Sequence, residues 1–261
     1  MRVDLHNHTT LCNHATGTME EYIQKAIELK IDTYGFSCHA PMAFEPEYRM
    51  NLSQSKTYEK DILSLKEKYK KQINILLSYE VDFMENSKYL EKSILESNVD
   101  YLIGSVHFID KWGFDNPEFI GQFEDKDIDT IWEEYFKTVS SMVKTGYFDV
   151  VGHLDLIKIF KYLPNKNITD IAYDTMIEIK KSGMVLEINS AGLRKPIKEQ
   201  YPSNTLLKLA FKLDIPITFS SDAHSIDQIG FGYEQVVQIA KDIGYTKCII
   251  FKNRTKQIVD F

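Results

Sequence analysis

The chain has 261 residues, 43% hydrophobic and 26% charged, which is the composition of a globular protein able to bury a large core, without disordered or repetitive segments. Its formal charge of −7 argues against non-specific nucleic-acid binding, which needs Lys and Arg against phosphates, and would repel an anionic substrate unless cations invert the local potential. No apolar run approaches the ~20 residues of a membrane span, so no membrane partner is expected and the expected location is the cytoplasm.

Short β-branched or apolar runs alternate with longer stretches of helical period, the pattern of βα units around a parallel sheet. Strands are predicted at 3–6, 33–37, 73–79, 101–106, 149–152, 184–189 and 217–220, with an eighth run at 247–251. Helices are predicted near 19–30, 53–71, 87–97, 127–145, 167–182, 204–213 and 232–243. At the first helix, Thr18 and Glu21 form a capping-box pattern, and Met19, Tyr22, Ile23, Ala26 and Ile27 share one apolar face. The strands lack clean alternation, as expected when both faces are covered. Seven or eight such units, with no G-x-G-x-x-G after the first strand, favour an α/β TIM-like barrel in a single domain, 1–261, over a dinucleotide-binding fold. The long connections 38–53 and 107–127 follow strands, and read as loops over the site.

All seven histidines, His6, His8, His14, His39, His107, His153 and His224, lie outside the helical stretches. His6 and His8 are two apart on an extended segment, so both rings can face one ion; a pair of satisfied polar histidines is the alternative. Glu80 closes INILLSYE, where an unpaired buried carboxylate would be costly and a strand-end salt bridge is the ordinary reading. Yet His39 follows TYGFSC, His107 ends YLIGSVH, His153 ends DVVGH, and Asp222 and His224 follow PITFSS. So many strand ends bearing an imidazole or carboxylate on one rim point to a shared metal centre. His14 stands apart in the loop LCNHATG, where an exposed histidine would be ordinary.

Seven imidazoles and two carboxylates suit Zn²⁺, Mn²⁺ or Fe²⁺ better than Mg²⁺ or Ca²⁺, and nine donors exceed the needs of two ions, so three divalent ions are expected. The cysteines, Cys12, Cys38 and Cys248, form neither a disulfide framework nor a CxxC site. Cys12 and Cys38 stand near proposed ligands and could be soft ligands, although small buried thiols are commoner.

The segments DLHNHT, FSCHAP, GSVHF, VGHLD, EINSAG and SSDAH, with Glu80 at its strand end, resemble the PHP (polymerase and histidinol phosphatase) family, in particular its stand-alone histidinol-phosphatase branch. The resemblance runs over nearly the whole chain and leaves no ligand position vacant. It implies a distorted (β/α)₇ barrel, in which 247–251 would be an edge or closing segment. It also implies three ligand sets: His6, His8, Glu80 and Asp222; Glu80, bridging, with His107 and His153; and His14, His39 and His224. Water held between two cations about 3.5–4 Å apart would ionise near neutral pH and attack phosphorus. Glu80 and Asp222 are the expected catalytic carboxylates, Asp222 as a possible proton relay.

By the same resemblance the substrate would be a small phosphate ester, L-histidinol phosphate, hydrolysed to L-histidinol and phosphate in histidine synthesis. Of the four arginines, Arg194 in EINSAGLRKP is best placed to fork onto phosphate, with Arg49 the other candidate and a helix-start salt bridge the alternative for Arg194. Arg2 and Arg254 lie near the termini. Glu45, Glu47, Asp110 and Asp115 could meet the substrate amine, and Phe44, Tyr48 and Trp112 its ring. The alternatives are a phosphoesterase for nucleotides or other phosphomonoesters, a nuclease-like polymerase domain, and a non-catalytic metal-binding regulator. Oligomeric state is not legible in the sequence.

Overall fold

The computed structural model describes residues 1–85 and 87–261. Seven parallel strands follow one another around a barrel: β1 (Val3–Asp4), β2 (Thr33–Phe36), β3 (Asn74–Asp82), β4 (Tyr101–Ser105), β5 (Val150–Val151), β6 (Val185–Asn189) and β7 (Ile217–Ser220). The edges meet where Leu5 N–H donates to Phe219 O at 3.0 Å and Asn7 bridges Ala223. Asp4 reinforces this seam, accepting from Ser221 N at 2.9 Å and Ser221 Oγ at 2.6 Å. The strands are buried almost throughout, which explains their lack of alternation.

Seven helices accompany the strands among the described residues: α1 (Met19–Glu28), α2 (Leu52–Tyr69), α3 (Lys92–Leu95), α4 (Ile128–Lys144), α5 (Ile168–Ser182), α6 (Asn204–Lys212) and α7 (Tyr233–Ile243). The capping box at α1 is present, with Thr18 Oγ1 accepting from Glu21 N and Glu21 Oε2 accepting from Thr18 N. None of the helices is long and apolar enough to cross a membrane. The barrel is narrow: a Cβ at Gly35 would stand 1.9 Å from Tyr101 Oη, which donates across the interior to Leu5 O.

One sequence expectation, the helix over 87–97, needs correction; the run at 247–251 and the connection 107–127 stand as a closing segment and a loop over the site, with added detail. The 247–251 run is β8 (Lys247–Lys252), paired antiparallel with β9 (Thr255–Asp260) outside the barrel sheet. This hairpin covers the end where the strands begin: Phe251 stacks on Tyr101 at 5.2 Å and Arg254 N–H donates to Asp100 O at 2.8 Å. The predicted helix 87–97 is a 3₁₀ turn, Ser87–Tyr89, followed by the single turn α3, in which only Ile94 is buried. The 107–127 connection is ordered, with a two-residue strand pair, Phe108–Ile109 and Trp112–Gly113, and a 3₁₀ helix, Pro117–Glu124. Trp112 and Phe123 hold it down with ring centroids 4.6 Å apart.

Candidate metal centre

The proposed donors gather at the end of the barrel where the strands finish. His6 and His8 follow β1, His39 follows β2, Glu80 lies within β3, His107 follows β4, His153 follows β5, and Asp222 and His224 follow β7. His14 arrives from the turn Thr10–Cys12, because left-handed Asn13 (φ 67°) reverses the chain behind it. A cavity of about 600 Å³ opens onto His8, His14, His39, His107, His153 and His224 and both proposed carboxylates, while His6 lies deeper.

Glu80 divides this cluster. Its Oε2 lies 3.3 Å from His6 Nε2, 3.6 Å from His8 Nε2 and 2.9 Å from His39 Nδ1. Its Oε1 lies 2.9 Å from His153 Nε2 and 3.7 Å from His107 Nε2. Asp222 Oδ1 stands 3.1 Å from His8 Nε2 and 4.0 Å from His6 Nε2. Mutually close donors form the groups His6, His8 and Asp222; Glu80, His107 and His153; and His8, His39 and His224. A further group joins Cys12 to His14 and His224, so His14 and His39, expected in one set, fall in different groups.

These residues fit metal ions on a structural ground. His6 Nε2, both nitrogens of His8, His39 Nδ1 and Glu80 Oε2 are buried without a hydrogen-bond partner, since the short approaches among them lack hydrogen-bond direction. An orphaned buried polar atom costs about 1–3 kcal/mol, and five in one cluster are accounted for by cations.

A second layer, not anticipated from the sequence, aims the donors. Glu187 Oε1 takes His6 Nδ1 at 2.7 Å, and its Oε2 accepts from His153 N at 2.7 Å. Asp82 bonds His107 Nδ1 and pairs with Arg49. Asn189 Nδ2 donates to Glu187 Oε2 at 3.1 Å and to Asp222 Oδ2 at 3.2 Å. A carboxylate on the far nitrogen of an imidazole fixes its tautomer and orientation, as around bound metals. Asp82 was detectable: two residues beyond Glu80, it shares the same strand face.

The PHP domain family pattern matches residues 4–191, and a PHP-associated pattern matches 204–243. The chain belongs to the PHP domain family. A Deinococcus radiodurans relative, named a probable histidinol-phosphatase, is 35% identical over 257 residues, covering 97% of this chain and 98% of its own. The Bacillus subtilis histidinol-phosphatase is 26% identical over 265 residues, covering 90% of this chain and 98% of its own. The solved structure of histidinol phosphate phosphatase from Lactococcus lactis subsp. lactis Il1403, complexed with zinc, L-histidinol and phosphate, has a TM-score of 0.82 at 20% identity over 98% of each chain, a likeness of fold.

Both candidate arginines line the cavity of this PHP protein, but both have protein partners. Arg49 is buried, donating to Asp82 and, from Nε, to Glu45 O at 3.0 Å. Arg194 donates to Ser221 O at 2.8 Å, Asp222 O at 2.9 Å and Gln228 Oε1 at 3.3 Å. It therefore clamps the left-handed Asp222 backbone (φ 52°) rather than forming a helix-start salt bridge. Of the loop residues, Glu45, Tyr48 and Asp115 line the cavity, whereas Glu47, Asp110, Phe44 and Trp112 do not.

Acids and imidazoles in the PHP centre set one another's charge. Burial alone would raise Glu80, yet His6, His39 and His107 hold it well below the ordinary carboxylate range. Asp222 is also held well below that range, burial being outweighed by His6 and His8. Against the same burial penalty, Asp222 lifts His8 to about 9, and Asp82 with Glu80 lifts His107 to about 10. Burial prevails at His39 and His224, which are pushed down. A metal ion bound by His8 or His107 would have to displace the proton there.

Proposed function

We propose that this protein is a metal-dependent phosphomonoesterase, a histidinol-phosphatase that hydrolyses L-histidinol phosphate to L-histidinol and phosphate in histidine biosynthesis. The observation that carries the reading is Glu80, whose two oxygens address separate imidazole groups in a buried cluster of unpaired donors. Names of full-length relatives support the substrate. Residues 1–261 are proposed to act as one unit in the cytoplasm.

In this reading three divalent ions, zinc, manganese or iron, are held by His6, His8, Glu80 and Asp222; by Glu80, His107 and His153; and by His14, His39 and His224. When bound, they supply an activated water and the positive charge that offsets the phosphoryl transition state. Glu80 and Asp222 provide the anionic donors, both already ionised. Asp82 and Glu187 hold the Nδ1 sides of His107 and His6, leaving each Nε2 facing Glu80. Arg194 holds the Asp222 loop and retains N–H groups for a phosphate oxygen, since three of its five donors are used. Glu45 and Asp115 at the cavity wall suit the substrate's ammonium group, and Tyr48 offers a ring face.

The test is phosphate release from L-histidinol phosphate beside p-nitrophenyl phosphate, AMP and a short DNA, with Mn²⁺- or Zn²⁺-loaded protein. Preferential turnover of histidinol phosphate, abolished by a chelator, is expected. Equal or faster turnover of the other esters would overturn the substrate assignment and leave the phosphoesterase.

A further inference from the structure

We infer that Cys12 is a thiolate ligand of the ion held at His14 and His224, making this position a mixed sulfur–nitrogen site unlike the other two. The inference rests on the metal-centre reading above. Cys12 is fully buried at the end of the Thr10–Cys12 turn. The left-handed Asn13 that follows folds His14 back over it, with His14 Nδ1 bonded to Cys12 O at 2.8 Å. The donor atoms of Cys12, His14 and His224 all lie within 4.8 Å of one another.

A separate observation points the same way. His8, only 1% exposed, has both ring nitrogens unpaired, and its donor atom lies within 4.8 Å of the sulfurs of Cys12 and Cys38. Cys38 is the less available thiol, because it accepts from Thr9 Oγ1 at 3.3 Å and donates to Thr9 O at 3.6 Å.

Charge balance explains why the third position needs sulfur. Glu80 and Asp222 belong to the donor groups of the other two positions, and no carboxylate belongs to the group around His14. The imidazoles of His14, His39 and His224 bind as neutral donors and bring no negative charge to a divalent ion, and His14 is exposed; a buried thiolate supplies that charge. Thiolate also changes selection. Sulfur with imidazole favours zinc, whereas imidazole with carboxylate accepts manganese or iron as well. The three positions are therefore filled by different rules, with zinc preferred nearest the mouth.

The test is cobalt loading of the whole protein, read by metal stoichiometry and by the near-ultraviolet thiolate-to-cobalt charge-transfer band. Wild type is expected to show the band at full loading. Cys12→Ser should lose the band and weaken the last ion by more than the roughly 10–100-fold cost of outer-layer changes, with an unchanged far-ultraviolet dichroism spectrum. Cys38→Ser should keep the band. Three bound cobalt ions without a band would overturn the inference and leave the three-ion reading intact. A band that survives Cys12→Ser but vanishes in Cys38→Ser would assign the sulfur to Cys38 and overturn it. Failure to take up any cobalt would overturn both readings.

Discussion

The two oxygens of Glu80 lie in different company, Oε2 near His6, His8 and His39 and Oε1 near His153 and His107. Glu80→Gln keeps the shape but removes the charge shared by two donor groups. It should cost up to two bound ions and lower kcat on the order of 10³-fold, checked by metal analysis beside steady-state kinetics. Near-normal metal content and rate would deny Glu80 its bridging place. Asp82 acts at one remove, through His107 and Arg49. Asp82→Asn should weaken metal at the His107 position about 10–100-fold, measurable by chelator competition. For Arg194→Ala the expected signature is a raised KM with metal content retained. Loss of metal instead would confine Arg194 to clamping the carbonyls of Ser221 and Asp222.

At the level of elements, what could be read in advance followed how local each signal was. The capping box at Thr18 and the strand over 217–220 depend on adjacent residues and appear as expected. Helix 87–97 gives way because its apolar residues are too few to bury a face, leaving one turn around Ile94. The pairing of β8 with β9 is invisible to periodicity, since β9 is exposed along nearly all its length. The gathering of the proposed donors was legible because strand ends converge in any parallel barrel. Their orienting partners were harder to see: Glu187 takes that role through a contact with His6, 181 residues away along the chain. Gly35→Ala would push a methyl into Tyr101 Oη and should destabilise the fold by about 1–3 kcal/mol, measured by denaturant unfolding. An unchanged midpoint would mean that β2 shifts freely against β4.

For the whole molecule, the charge network ties stability to pH and to metal. His8 and His107 have folded-state pKa values of about 9 and 10 against 6.5 for the free side chain. A raised histidine pKa gives stability that is fully present below 6.5 and is lost as pH rises through the folded value. His39 and His224, pushed down, contribute with the opposite sign, their stability falling away below 6.5. Metal-free protein should therefore show a falling Tm from neutral pH toward pH 10, and metal-loaded protein should lack this decline because ions replace the protons. Parallel Tm profiles with and without metal would contradict this coupling.

The most direct measurement is a titration of metal-free protein with Zn²⁺ or Mn²⁺, following phosphate release from L-histidinol phosphate against ions bound per chain. No turnover is expected without metal, and activity should appear as the two positions sharing Glu80 fill. Full turnover by metal-free protein, or none by fully loaded protein, would contradict it.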